Sequence, residues 1–224
     1  GVVVLRDIQQ PSLGPLLAFG SPRRPFQSFG EIERGVQLAG HWLQRLHASH
    51  STFGSPVPAL RRYLDSRTAM FEAMPDDFSA RLCAAADACP DGSITITHSD
   101  FNGWNILFDG AKLCIIDHGI SEWTEMSPAW DVATFLVWIR TCAHRTARSP
   151  LFWFPRLVDR LESSFIEAYG DRSLVSSPTF AVCAAIKYSM IYASLVSQSP
   201  AYARRCFEKA RSCLQHTSAS RTGF

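Results

Sequence analysis

The sequence predicts an α+β fold in which helix dominates, and three observations predict it. Apolar residues recur at helical spacing in the first third of the chain and again through the last half. Between residues 94 and 117 the period changes, and two short apolar runs flank Asp109-Gly110, a hairpin signal. Four Ser-Pro pairs punctuate the second half, each opening a helix-like stretch. No internal repeat interrupts this order.

Composition bounds the rest. A chain of 224 residues is one large domain or two small ones and buries a real core. With 46% hydrophobic and 19% charged residues it is not a disordered chain. The formal net charge is +2 and no Lys/Arg block appears, which argues against nucleic acid as the main partner. Seven cysteines without a C-x-x-C pair read as reduced, buried thiols of a cytoplasmic protein. The longest apolar stretch, Phe180 to Val196, carries Lys187 near its middle and is marginal in length for a bilayer. It reads as a buried helix, with no membrane partner. The first residues, Gly1 to Ile8, read as neither a signal nor a transit peptide.

The elements follow in order. Val2-Val3-Val4-Leu5 is β-branched and predicts a strand. Residues 11–30 are rich in Pro, Gly and Ser and predict a linker. Ile32, Val36, Ala39, Leu43 and Leu46 predict a helix over 31–49. Gly54-Ser55-Pro56-Val57-Pro58 breaks it, and helices are expected over 59–74 and 77–89. After the turn Pro90-Asp91-Gly92, Ile94 to Thr97 is β-like. Residues 105–108 and 113–117 form the two arms of the hairpin.

Helices are then expected over 128–144, 156–169, 178–197 and 200–215. Ser127-Pro128, Ser149-Pro150, Ser177-Pro178 and Ser199-Pro200 each place a capping hydroxyl before a proline whose missing N–H costs nothing at the first helical position. Gly170 is the expected stop of the second of these helices.

The chemistry lies in His98-Ser99-Asp100-Phe101-Asn102-Gly103-Trp104-Asn105 and in Cys114-Ile115-Ile116-Asp117-His118-Gly119. A hairpin loop at 109–112 sets Phe108 opposite Leu113 and Asn105 opposite Ile116. Asp117 is then within one residue of register with Asn105, and such side chains approach to ~5–8 Å. Asn and Asp oxygens are hard ligands that suit Mg²⁺. Asp100, five residues before Asn105, enters the same end of the hairpin. A carboxylate there can orient a hydroxyl nucleophile and take its proton. Phosphoryl transfer depends mainly on positioning and on charge neutralisation, and these groups supply both.

H-x-D-x-x-x-x-N followed by I-I-D-x-G resembles the catalytic and metal loops of the kinase-like phosphotransferases, in particular the aminoglycoside phosphotransferases and choline-kinase-like enzymes. The resemblance implies a protein-kinase-like C-lobe around a short catalytic hairpin. It implies Asp100 as catalytic base and Asn105 and Asp117 as metal ligands, with Asp117-His118-Gly119 in the place of the kinase D-F-G. Val2 to Asp7 resembles the hinge strand, so Leu5, Arg6 and Asp7 are the implied nucleotide-binding residues. Leu43 to Ala48 resembles the helix before the catalytic loop, and Asp131 matches an Asp that begins the following helix.

The implied cofactors are ATP or GTP and Mg²⁺, and the implied partner is a small hydroxylated acceptor. On this reading residues 1–10 are a hinge strand, 11–30 a linker and 31–224 the helical lobe, with the two loops at 98–119. The lobe carrying a phosphate-covering loop and a lysine is expected from a longer protein or a separate segment. Ser99 stands where the family has Gly, a change expected to be absorbed by a different backbone angle. The alternative is a non-catalytic, pseudokinase-like nucleotide-binding or regulatory module.

Neighbouring residues have plainer expectations. His98 is expected to pack beneath the metal loop and bond backbone. Asp131 falls in a first helical turn, which favours a carboxylate, and reads as structural. His41, His47 and His50 read as surface or packing residues, because no acidic partner is near in sequence. Trp104 walls the acceptor pocket or anchors the core, and both readings stay open. Glu122 and Glu125 read as a solvated loop, with attraction of a cationic acceptor as the other reading. The acceptor is expected against the helices after residue 120, near Trp123 and Trp130. No G-x-S-x-G and no Gly-rich dinucleotide fingerprint is present.

Overall fold

The computed structural model describes residues 12–13, 29–72, 74–75, 77–117, 125–145 and 155–219. The expected hinge strand, most of the linker, His118, Gly119, Glu122, Trp123 and the Ser149-Pro150 start lie outside the described residues.

Helix α1 (Phe29–Ser49) begins two residues before its expected start. It buries Val36, Ala39, Gly40 and Leu43, one stripe of an amphipathic helix. A Cβ on Gly40 would lie 2.8 Å from the Phe165 carbonyl oxygen, so α1 and helix α6 (Pro155–Tyr169) pack backbone to backbone there. The helix expected over 59–74 is instead two, α2 (Val57–Asp65) and α3 (Thr68–Glu72). Hydroxyls interrupt it: Ser66 Oγ donates to the Tyr63 carbonyl at 2.7 Å, and Thr68 Oγ1 to that of Asp65 at 2.8 Å. Side-chain bonds of this kind compete with continuation of the helix. Helix α4 (Phe78–Asp87) follows.

Two small antiparallel sheets occupy the middle of the chain. In the first, β2 (Gly92–Ile96) lies between β1 (Thr52–Gly54) and β5 (Glu125–Met126). The outer strands were not anticipated, and Glu125 sits in a strand rather than a loop. With three and two residues they are too short to carry a period-2 signal. The second sheet is the hairpin of β3 (Ile106–Phe108) and β4 (Leu113–Ile115).

Among the described residues the remaining helices are α5 (Ala129–Arg145), α6, α7 (Pro178–Leu195) and α8 (Pro200–Ala219), with a 3₁₀ turn at Leu174–Ser176. The expected punctuation is seen at Ser177 and at Gly170. Ser177 Oγ accepts from the Phe180 amide at 3.1 Å. Gly170 ends α6 at φ +87, where a side chain would be strained, and its N–H donates to the Ile166 carbonyl at 3.0 Å.

The core forms two clusters that share α5. Leu60, Leu82, Trp130, Ile186 and Phe207 join α2, α4, α5, α7 and α8. Leu43, Ile106, Phe135, Ile139 and Phe165 join α1, the hairpin, α5 and α6. The segment 98–105 runs between these two bodies, with Phe101 fully buried in the second. None of the seven cysteines is in a disulfide. Among the described residues no helix is long and apolar enough to cross a membrane.

Candidate functional site

The hairpin is set by its loop. Asp109 Oδ1 accepts from the amides of Ala111 at 2.8 Å and Lys112 at 2.7 Å, and Gly110 takes φ +98. Asp109 thus makes the side-chain turn typical of Asx residues, and Gly supplies the positive φ. The register is Ile106 to Ile115, Leu107 to Cys114 and Phe108 to Leu113, as the loop length predicts. The Ile116 amide donates to the Asn105 carbonyl at 2.9 Å, extending the pairing to Asn105. Asp117 is the next residue, exposed, with φ 55.

Asp100 is exposed and Asn105 is buried, and their side chains meet. Asn105 Nδ2 donates to Asp100 Oδ2 and to the Asp100 carbonyl, both at 2.9 Å. Asn102 Nδ2 donates to the other carboxylate oxygen, Oδ1, at 2.9 Å. The carboxylate is thereby fixed in rotation while its exposed edge stays open to a ligand. Asn102 did not figure among the expected site residues, since a lone Asn in a loop is ordinarily a turn former.

Behind Asp100 lies a second carboxylate. Asp131, in the first turn of α5, has no exposed surface. Its Oδ2 accepts from the His98 amide at 2.6 Å and bonds His47 Nε2 at 3.2 Å. Its Oδ1 accepts from the Ser99 amide at 2.9 Å. Such bonds to an ionised acceptor are about twice as strong as neutral ones. Asp131 therefore ties the start of the 98–105 segment to α5 and, through His47 and the 2.9 Å bond from His47 Nδ1 to the Tyr169 hydroxyl, to α1 and α6. His47 is a packing residue, His41 and His50 are exposed, and among the described residues no group of three His, Cys, Asp or Glu side chains is placed to hold a metal.

His98 lies against the strand that leads to Asp117, with Nε2 3.2 Å from the Ile116 carbonyl and its ring edge-on to Trp42 and Phe101. It links the segment before Asp100 to the strand before Asp117. Trp104 is 39% exposed, which removes the core-anchor reading and leaves its indole at the surface between Gly103 and Asn105.

Ser99 sits in the left-handed region, at φ 70. That conformation costs a non-Gly residue ~1–2 kcal/mol, and the surroundings hold it there. The amide donates to Asp131, and the carbonyl accepts from Trp130 Nε1 at 3.1 Å and from Lys187 Nζ at 3.4 Å. Lys187, on α7, is buried with its ammonium 3.8 Å from the centre of the Trp130 ring. Burial pulls its pKa from the ordinary 10.5 down to about 8, against the opposing pull of Asp131 and Asp100. A lysine in the middle of an apolar run was the one sequence signal that pointed to it.

The oxygens present fit a hard divalent cation. Asn105 spends its NH₂ on Asp100, which leaves Oδ1 as the donor atom its amide can offer, and the Asp117 carboxylate is exposed one residue beyond the strand pair. The proposed nucleotide contacts Leu5, Arg6 and Asp7 lie outside the described residues.

A family model described as "Phosphotransferase enzyme family" matches residues 13–173. Among solved structures, a crystal form of a glucosamine kinase is similar with TM-score 0.63 and 14% identity, over 94% of this chain and 59% of that one. The structure titled as glucosamine kinase in complex with glucosamine, ADP and inorganic phosphate is similar with the same TM-score and identity, over 94% of this chain and 61% of that one. At this identity the likeness shows the fold, which is kinase-like. The chain spans about three-fifths of the length of these kinases. No curated protein matches the chain.

Proposed function

The chain belongs to the phosphotransferase enzyme family, and from that premise we propose that it serves the transfer of a phosphoryl group from ATP or GTP to a hydroxyl of a small molecule. The observation that carries the reading is the Asp100 carboxylate, exposed yet fixed on both oxygens by Asn102 and Asn105. Asp100 aligns the acceptor hydroxyl and accepts its proton as the new P–O bond forms. Asn105 Oδ1 and the Asp117 carboxylate would hold Mg²⁺. When bound, the ion neutralises charge on the nucleotide phosphates. Backbone groups at Leu5 to Asp7 would hold the adenine. An amino sugar or related polyhydroxylated compound is the acceptor class supported by the likeness to a kinase whose structure is titled with glucosamine and ADP.

The test is turnover of ATP–Mg²⁺ against a panel of amino sugars, aminoglycosides and choline. Asp100→Ala should lower turnover ~10²–10⁴-fold while Mg²⁺–nucleotide binding persists. Asp117→Ala should weaken the metal-dependent binding itself. Full activity in both variants would refute the assignment. Nucleotide binding without transfer to any acceptor would favour the regulatory module instead.

A further inference from the structure

Helix α7 is apolar and buried from Val182 to Ser189, and Lys187 lies in that run. An ammonium taken from water into such surroundings is costly and persists only where something holds it. Here the holding groups belong to the segment that presents Asp100. Lys187 Nζ is 3.4 Å from the Ser99 carbonyl and 3.8 Å from the centre of the Trp130 ring, and the Trp130 Nε1–H donates to that same carbonyl at 3.1 Å. The Ser99 carbonyl and the Asp100 amide are the two ends of one peptide. Its orientation sets where the Asp100 side chain leaves the backbone. Asp131 grips the preceding peptide through the Ser99 amide, so the left-handed Ser99 is held from both sides.

We propose that Lys187 is a positioning residue whose ammonium fixes the Ser99–Asp100 peptide, and that loss of its proton relaxes that peptide and with it the aim of Asp100. The inference rests on the phosphotransferase reading for its consequence, because only an acceptor makes the aim of Asp100 matter. The groups bearing on the ammonium are Asp131 of α5 and Asp100 of the catalytic segment, which favour its charge, Cys183 one turn back on α7, which favours it weakly, and Arg67 between α2 and α3, which opposes it. With its pKa drawn down to about 8, the proton is lost only a little above neutrality. The coupling therefore acts as a brake on the alkaline side.

The test is nuclear magnetic resonance of this chain between pH 6.5 and 10, without nucleotide or acceptor. The Ser99 and Asp100 amide signals should shift in a single-proton step that follows the Lys187 side-chain signal. That signal is assigned by its loss in Lys187→Arg. The step should vanish in Lys187→Met and move above pH 10 in Lys187→Arg. A step that survives in Lys187→Met, or loop signals that do not follow Lys187 in the wild-type chain, would overturn the proposal. If Lys187→Met does not fold, the wild-type and Lys187→Arg titrations decide alone. Asp100→Ala separates the two readings. Undiminished turnover in that variant ends the phosphotransferase assignment, whereas the loop titration stands or falls without any turnover.

Discussion

The buried Asp131 carboxylate accepts the His98 backbone amide at 2.6 Å, so the segment bearing Asp100 hangs from the first turn of α5. The same carboxylate takes the Ser99 amide and His47 Nε2. Removing it strands two buried amides and a histidine at once. Asp131→Ala should therefore lose ~3–5 kcal/mol, measured by urea unfolding. Asp131→Asn keeps the shape and part of the acceptor capacity, and its loss should be smaller.

Ser99 at φ 70 makes a second prediction. Glycine adopts this conformation freely but frees the unfolded chain, and the two effects nearly offset. Ser99→Gly should stay within about 1 kcal/mol of wild type. Ser99→Val, β-branched and ill suited to positive φ, should lose ~1–3 kcal/mol. A Gly midpoint close to wild type and a clearly lower Val midpoint would agree, and a Val variant as stable as wild type would contradict the clamp.

Gly103 is where the 98–105 segment touches the core. A Cβ on it would lie 2.0 Å from Cη2 of Trp138 and 2.5 Å from Cζ2, which is inside any tolerable contact. Gly103→Ala should cost ~1–3 kcal/mol by overpacking and should displace the Asp100–Asn105 pair. The smaller ring of Trp138→Phe should restore part of the loss, so a double-mutant cycle is expected to show strong coupling.

Lys187 links stability to pH, with a definite sign. Its folded pKa is about 8 and its ordinary value 10.5. Below pH 8 both states carry the proton and the folded chain bears the full cost of the buried charge. Between pH 8 and 10.5 the unfolded chain binds more protons, so stability rises with pH across that window. The cost is on the order of 3 kcal/mol. Lys187→Met should melt above wild type at pH 7, with the gap closing by pH 10.5. A variant less stable than wild type at pH 7 would contradict this.

Much of the fold was legible from local chemistry. The serine before Pro178 and the glycine at 170 mark ends whose hydrogen bonds are made within one turn, and the Asp109-Gly110 loop dictates the hairpin register within four residues. The break at Ser66 was not legible, because hydroxyls at helix ends and within helices look alike in sequence. Strands β1 and β5 were equally hidden, since two or three residues acquire strand character only from the partner they meet.

The sequence alone determined the hairpin that pairs Asn105 with Ile116 and leaves Asp117 one residue beyond, because the short loop between the strands leaves the chain little other choice. The tertiary structure alone decided what steadies the segment bearing Asp100. His47, the adjacent pair Trp130 and Asp131, and Lys187 come from three points along the chain, on three different helices. Nothing in their local sequence announces a shared target. Long-range packing of apolar helices brought a buried carboxylate and a buried ammonium to opposite sides of one residue, Ser99. Only that packing makes it favourable to hold a non-glycine backbone left-handed beside Asp100.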